Sequence, residues 1–179
     1  LVEQSVGPSH LRVADVLGPL AFIQQLQGQY LSAQPLFERA LAIREQILGP
    51  DHPDVADSLR ALGEFYAAQG QYEEAESFHR RALAIYQVAL EPDDVRVASS
   101  LNDLSELYVH QGELAKAQAT SEEVLTLLKK GYSPGHPLEL ARAAEVGEGV
   151  LRLAERSSGA GHPSLMTPLQ HLAEVYKVQ

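Results

Sequence analysis

Residues 14–30 read ADVLGPLAFIQQLQGQY, residues 56–72 read ADSLRALGEFYAAQGQY, and residues 98–114 read ASSLNDLSELYVHQGEL. The three segments start 42 residues apart, and the phase holds beyond them. Gly28, Gly70 and Gly112 each follow a glutamine; Ala33, Ala75 and Ala117 share one phase, and Leu41, Leu83 and Leu125 another. Self-similarity at such a period marks an array of supersecondary units, stacked because one unit cannot bury its apolar face alone. The period divides the chain into units at 10–51, 52–93 and 94–135. The end of a preceding helix and its linker stand at 1–9, and a shortened unit with a closing helix at 136–179.

Each unit reads as two helices. Val55, Leu59, Leu62 and Tyr66 are spaced by four, three and four residues, an apolar stripe at helical period. Gly70 stops that pattern, as a glycine just past a helix end does. A second stripe runs through Tyr72, Ala75, Phe78, Ala82 and Ile85. Helices are expected at 11–26, 29–48, 53–68, 71–89, 95–110, 113–130, 138–156 and 164–177, with no strands. Ala21, Gly63 and Ser105 on the first helices, and Ala33, Ala75 and Ala117 on the second, are small enough to let the two helices of a unit approach closely.

The 179 residues carry 14 basic and 24 acidic side chains, a formal charge of −10. Nucleic acid and anionic membrane both demand a basic face, so neither is an expected partner. The absence of cysteine excludes disulfides, thiolate metal sites and cysteine nucleophiles. No apolar run approaches the ~18 residues of a membrane span. No secretory signal opens the sequence, so a cytoplasmic location is expected.

Leu59, Leu62, Gly63, Tyr66, Gly70, Tyr72, Ala75 and Ala82 together resemble the signature of the tetratricopeptide repeat. The long period, the linkers LGPDHPDVA (48–56) and EPDDVRVA (91–98), and the phrase SLNDLSELY (100–108) are similar to the kinesin light chain type of that repeat. The resemblance covers residues 10–137 and implies an all-α, right-handed α-solenoid of helix-turn-helix units. Two departures stand out. His136 to His162 spans 26 residues where His10 to His52 spans 42. The shortened unit reads either as one continuous helix closed by 164–177 or as a unit lacking a stretch, and Gly147 and Gly149 weaken a continuous helix. At the start, EQSVGP (3–8) matches EQILGP (45–50), the end of a second helix, as expected for a piece of a longer array.

Of the seven histidines, His10, His52, His136 and His162 occupy the linker phase, and three precede proline. Pro53, Pro137 and Pro163 suit the first helical position, where a missing N–H costs nothing. Ligands one repeat apart cannot share a metal whose bonds are ~2 Å long. His79 and His171 have no Ser or Asp at triad spacing. The GxG pairs at Gly147–Gly149 and Gly159–Gly161 lack the strand and the remaining glycine of a nucleotide cradle. No catalytic residue, metal or cofactor is expected.

The resemblance also implies binding in a concave groove lined by the first helices. Carried over by phase, the groove positions are Asp15, Gly18, Phe22 and Gln25, then Asp57, Arg60, Glu64 and Ala67. In the third unit they are Ser99, Asn102, Glu106 and Val109, with His110 beside them. Asn102 stands where the family has an asparagine able to bind a peptide backbone, whereas Asp103 replaces its neighbour. Arg60 and Asn102 are the expected hydrogen-bonding residues, and Glu64 and Glu106 the charge selectors. Asp15, Asp57, Glu64 and Glu106 against Arg60 alone favour a neutral or basic peptide or protein partner. The alternative is that these are solvated faces of an acidic protein. The expected function is non-catalytic protein binding. A second reading is a regulatory arm packed on a neighbouring domain of a larger signalling protein, and a third is self-association through exposed repeat ends.

Overall fold

The computed structural model describes residue 7, residues 10–91 and 94–131, and positions 141, 144, 147–152, 155, 156 and 170. Six helices run through the continuous part: α1 (Leu11–Leu26), α2 (Tyr30–Leu48), α3 (Pro53–Ala67), α4 (Tyr72–Ala89), α5 (Val95–Gln111) and α6 (Leu114–Gly131). Their ends lie within one residue of the expected ones, and no strand occurs among the described residues. Positions 141, 144, 147–152, 155, 156 and 170 are helical. The rest of the expected helices 138–156 and 164–177, and with it the closing hairpin, lies outside the described residues. No helix among the described residues is long and apolar enough to cross a membrane.

Local chemistry sets these ends, and it repeats. His10, His52 and Asp94 share the 42-residue phase and are the N-caps of α1, α3 and α5. Each side chain accepts a hydrogen bond from the backbone N–H two residues on. The donors are Arg12 to His10 Nδ1 (3.2 Å), Asp54 to His52 Nδ1 (3.1 Å) and Arg96 to Asp94 Oδ1 (2.9 Å). The linker histidines within the described residues therefore satisfy helix N–H groups that have no partner inside the helix. His136 and His162 lie outside the described residues. At the other end, the backbone N–H of Gln29, Gln71 and Glu113 reaches back five residues to the carbonyls of Gln24, Tyr66 and Tyr108, at 2.9, 3.0 and 2.9 Å. Closing the turn this way puts Gly112 at φ +78°, a left-handed conformation that a Cβ disfavours.

The chain forms two compact units, Leu1–Leu90 and Glu91–Gln179. In the first, α1 pairs with α2 and α3 with α4, α2 packs on α3, and α1 touches α3. Its core has two clusters. Val13, Ala14, Leu17, Ala40 and Ile43 form one, and Ala21, Ala33, Phe37, Leu62 and Phe65 the other. Phe65 sits among the rings of Tyr30, Phe37 and Tyr66, with centroids 6.1, 5.5 and 5.5 Å away, and Tyr66 stacks on Phe78 at 5.4 Å. In the second unit α5 pairs with α6. Val97, Leu101, Leu104 and Leu107 of α5 are buried, as are Ala117 and Val124 of α6.

The seam inside each helix pair follows the small residues. A Cβ on Gly63 would lie 2.6 Å from His79 Nε2, so the buried imidazole occupies the space a side chain would need. At the same phase in the second unit, Ser105 Oγ donates to the Ala117 carbonyl at 3.0 Å and lies 2.7 Å from Ser121 Oγ. Ala21 and Phe37, again at that phase, share one cluster. The pair is thus Ala–Phe, Gly–His and Ser–Ser in successive repeats.

Candidate functional site

The first helices of the first unit, α1 and α3, carry a row of fixed polar groups. Asp15 is exposed, and its Oδ1 accepts from Arg44 Nη2 at 3.0 Å. Arg44, on α2, also donates from Nη1 to Ser58 Oγ of α3 at 2.7 Å, so one guanidinium ties three helices together. One period on, exposed Asp57 accepts a hydrogen bond from the hydroxyl of buried Tyr86 on α4. Arg44 and Tyr86 each serve an aspartate 29 residues earlier. They are one strut built twice in different chemistry. Inspection of the first helices alone does not reveal it, because both struts stand on second helices; their shared phase with Asp15 and Asp57 is the signal that could.

Arg60 and Glu64, four residues apart, are joined by Nε and Nη2 at 3.3 and 3.0 Å from Glu64 Oε1. Arg60 is half-buried and Glu64 exposed; Gln25 is half-buried. Phe22 is 49% exposed, a large apolar side chain beside Gln25 and Asp15 on the same helix face. The charged groups of this face are Asp15, Asp57 and Glu64 with Arg44 and Arg60, a balance of 2 − 3 = −1. That is less acidic than the first helices alone imply. On the adjoining aromatic stack, Gln34 Nε2 donates to Tyr66 Oη at 3.2 Å. Burial, then the nearby carboxylates of Glu38 and Glu74, push the Tyr66 phenol above its usual range.

In the second unit the expected residues divide. Glu106 and His110 are exposed. Ser99 and Asn102 are buried, at 5% and 1% exposure, so the Asn102 amide is not offered to solvent as expected. The burial extends along the helix. Small Ser100 and Ser105 are buried on α5 as well, and so is Asp103. Gly149 lies close to the same helix, since a Cβ there would stand 3.1 Å from Val109 Cγ1. Val109, expected to line the groove, is covered from that side.

Among the described residues, no group of three or more histidines and carboxylates could hold a metal ion. Fixed carboxylates, two guanidinium groups and an exposed phenylalanine form a surface suited to non-covalent contact.

A family model described as tetratricopeptide repeat matches residues 12–87 and again 60–130. Among solved structures, the chain is similar to a Podosopora anserina putative kinesin light chain with nearly identical TPR-like repeats. Identity is 25% and the TM-score 0.65, covering 94% of this chain and 88% of that one. A single-substitution variant of that protein matches at 27% identity and TM-score 0.64, covering 96% and 87%. BtubC (BKLC) from P. vanneervenii is similar in fold, with 18% identity and a TM-score of 0.75, over 92% of this chain and 62% of that one. No curated protein matches the chain. The fold is the all-α helical solenoid of these neighbours.

Proposed function

The chain belongs to the tetratricopeptide repeat family, and from that premise we propose that it is a non-catalytic protein-binding module whose contact surface lies on its first helices. Repeats of this family are generally protein-interaction modules, which supports the coarse reading. The observation that carries the finer one is the pair of struts on the first unit. Arg44 and Tyr86 hold Asp15 and Asp57 at the surface of α1 and α3, and exposed Phe22 stands two turns from Asp15 along α1. A surface ordered before the partner arrives loses little conformational freedom on binding.

The partner that fits is a peptide segment or domain, neutral or basic, that places an apolar side chain on Phe22 and donors on Asp15, Asp57 and Glu64. On the second unit, taken by itself, Glu106 and His110 of α5 are the exposed ones among the expected contact positions. Asn102 and Ser99 contribute through the shape of α5 rather than by direct contact.

The test is capture from a lysate of the source cells with identification by mass spectrometry. Wild type runs beside Phe22→Ala/Glu64→Ala, whose side chains are exposed and whose helical content should match. Partners captured by wild type and lost by the variant support the surface. Partners retained by both place binding elsewhere. A folded wild type that captures nothing favours the arm of a larger protein.

A further inference from the structure

In the first unit two carboxylates, one on α2 and one on α4, stand beside a pair of stacked rings. Tyr66 of α3 and Phe78 of α4 stack with centroids 5.4 Å apart and planes 9° from parallel, and both are partly exposed. Gln34 ties α2 to this stack. Its Nε2 donates to Tyr66 Oη at 3.2 Å and to Glu38 Oε1 at 2.9 Å. Glu74 precedes Phe78 by four residues, one turn away on the same face of α4. Glu38 and Glu74 are exposed, and both lie near enough to Tyr66 to add to the effect of burial in holding its phenol above the usual range. Among the described residues no basic side chain pairs with either carboxylate. Arg80 is engaged by Glu76, and Arg81 by Glu45.

The second unit holds a cation on the tyrosine of this phase. Tyr108 stands 42 residues after Tyr66, and Lys116 42 residues after Glu74. The Lys116 ammonium lies 5.2 Å from the Tyr108 ring centroid and 2.6 Å from Glu113 Oε2, so a ring and a carboxylate share one cation. In the first unit a glutamate takes the lysine's place, and the ring and carboxylates are there without the cation. We propose that this site binds the cationic side chain of an arginine or lysine on a partner polypeptide. The charge pairs with Glu38 and Glu74 at the exposed edge of the stack, and the apolar stem lies against the rings of Tyr66 and Phe78. Arginine fits better than lysine, because a planar guanidinium both stacks on rings and spans two acceptors. The net charge of −10 steers such a partner toward the chain. From the family reading this inference takes only that the ligand is a polypeptide, and it uses no residue of the Asp15–Phe22 surface.

The probe is Nα-acetyl-arginine amide, titrated at about 0.15 M ionic strength into the full chain carrying carbon-13 on its tyrosine rings. The Tyr66 signal, identified by its absence from Tyr66→Phe, should shift saturably. Nα-acetyl-citrulline amide, the uncharged isostere, should bind at least tenfold more weakly. Glu38→Gln/Glu74→Gln should weaken binding of the arginine probe at least tenfold. Glu122→Gln/Glu123→Gln, the same change of net charge at exposed positions of α6, should bind as wild type does. Both double variants alter exposed side chains, and their circular dichroism should equal wild type. The proposal is overturned by no saturable shift of Tyr66, by an equal response to the citrulline form, or by wild-type binding in Glu38→Gln/Glu74→Gln. Equal weakening by the two double variants overturns it too, because net charge alone then explains the binding. Tighter binding of free arginine than of the capped amide overturns the assignment to a polypeptide, since a side chain within a chain has no free carboxylate to add. The signal is local to Tyr66, so failure here leaves the first-helix surface standing, and failure of the lysate capture leaves this site standing.

Discussion

At Gly63 a single hydrogen atom decides whether two helices can meet. With His79 atoms 2.6–2.8 Å from where a Cβ would stand, Gly63→Val must displace a buried imidazole. Overpacking of that kind costs about 1–3 kcal/mol, measured as a lower urea midpoint with unchanged slope. The second unit suggests the remedy, since Ser105 and Ser121 occupy the same place as a bonded pair. Gly63→Ser/His79→Ser should therefore melt above the sum of its two single variants, with a coupling of about 1 kcal/mol or more in a double-mutant cycle. The sequence showed that small residues recur at this phase. It did not show that Phe37, His79 and Ser121 are what they face, because side-chain volumes are matched across helices rather than along them. Tyr86→Phe makes a further test. Removing the hydroxyl leaves Asp57 without that donor, and a loss of about 1–2 kcal/mol is expected by chemical denaturation, hydrogen bonds to charged groups being the stronger ones.

At the level of the helix, the caps fix where each first helix begins. Asp94 accepts from the Arg96 backbone at 2.9 Å and pairs with its guanidinium at 3.0 Å. The Arg96 side chain, above all, holds the Asp94 carboxyl below its ordinary value. Asp94→Ala should cost about 1 kcal/mol at neutral pH. A carboxyl whose pKa is lowered on folding contributes stability that is complete above its unfolded value, about 3.9. That contribution is lost as pH falls through the lower, folded value. The difference in stability between wild type and Asp94→Ala should hold from pH 7 to 5 and shrink only in more acid solution; a difference that shrinks between pH 7 and 5 would contradict the assignment. The bounds of the six described helices were legible to within one residue because their signals are local: apolar steps of three and four, Pro53 in the first turn of α3 and glycines past the ends. The capping role of His10 and His52 was not, since histidine is an uncommon cap and only the geometry shows its Nδ1 accepting from the chain.

For the whole molecule the governing quantity is a charge of −10 spread over solvated helices. Among the described residues most ion pairs are at least partly exposed, and several join residues three or four apart, such as Arg80–Glu76 and Lys116–Glu113. Pairs of this sort contribute little, and salt weakens them. Self-repulsion of the net charge is weakened as well, and with ten uncompensated charges that effect wins. Raising sodium chloride from 10 to 300 mM should raise the melting temperature by about 2–4 °C, which corresponds to about 1 kcal/mol for a chain of this size. A lower melting temperature in salt would mean that the ion pairs matter more than the net charge.

The amino-acid sequence alone determined the repeat, the all-helical class, the family and the ends of the six helices from Leu11 to Gly131, because each is written in neighbours a few residues apart or in one fixed period. Only the tertiary structure decided which polar positions on the first helices meet solvent. Asp57 and Ser99 share a phase, as do Arg60 and Asn102. Yet Asp57 is exposed and Arg60 half-exposed while Ser99 and Asn102 are buried. The period is the same in both units, but burial depends on what packs against each position from elsewhere in the chain, as the backbone at Gly149 does against Val109. A repeat sets where a residue stands on its helix; the contacts that cover or expose it are made by the rest of the fold.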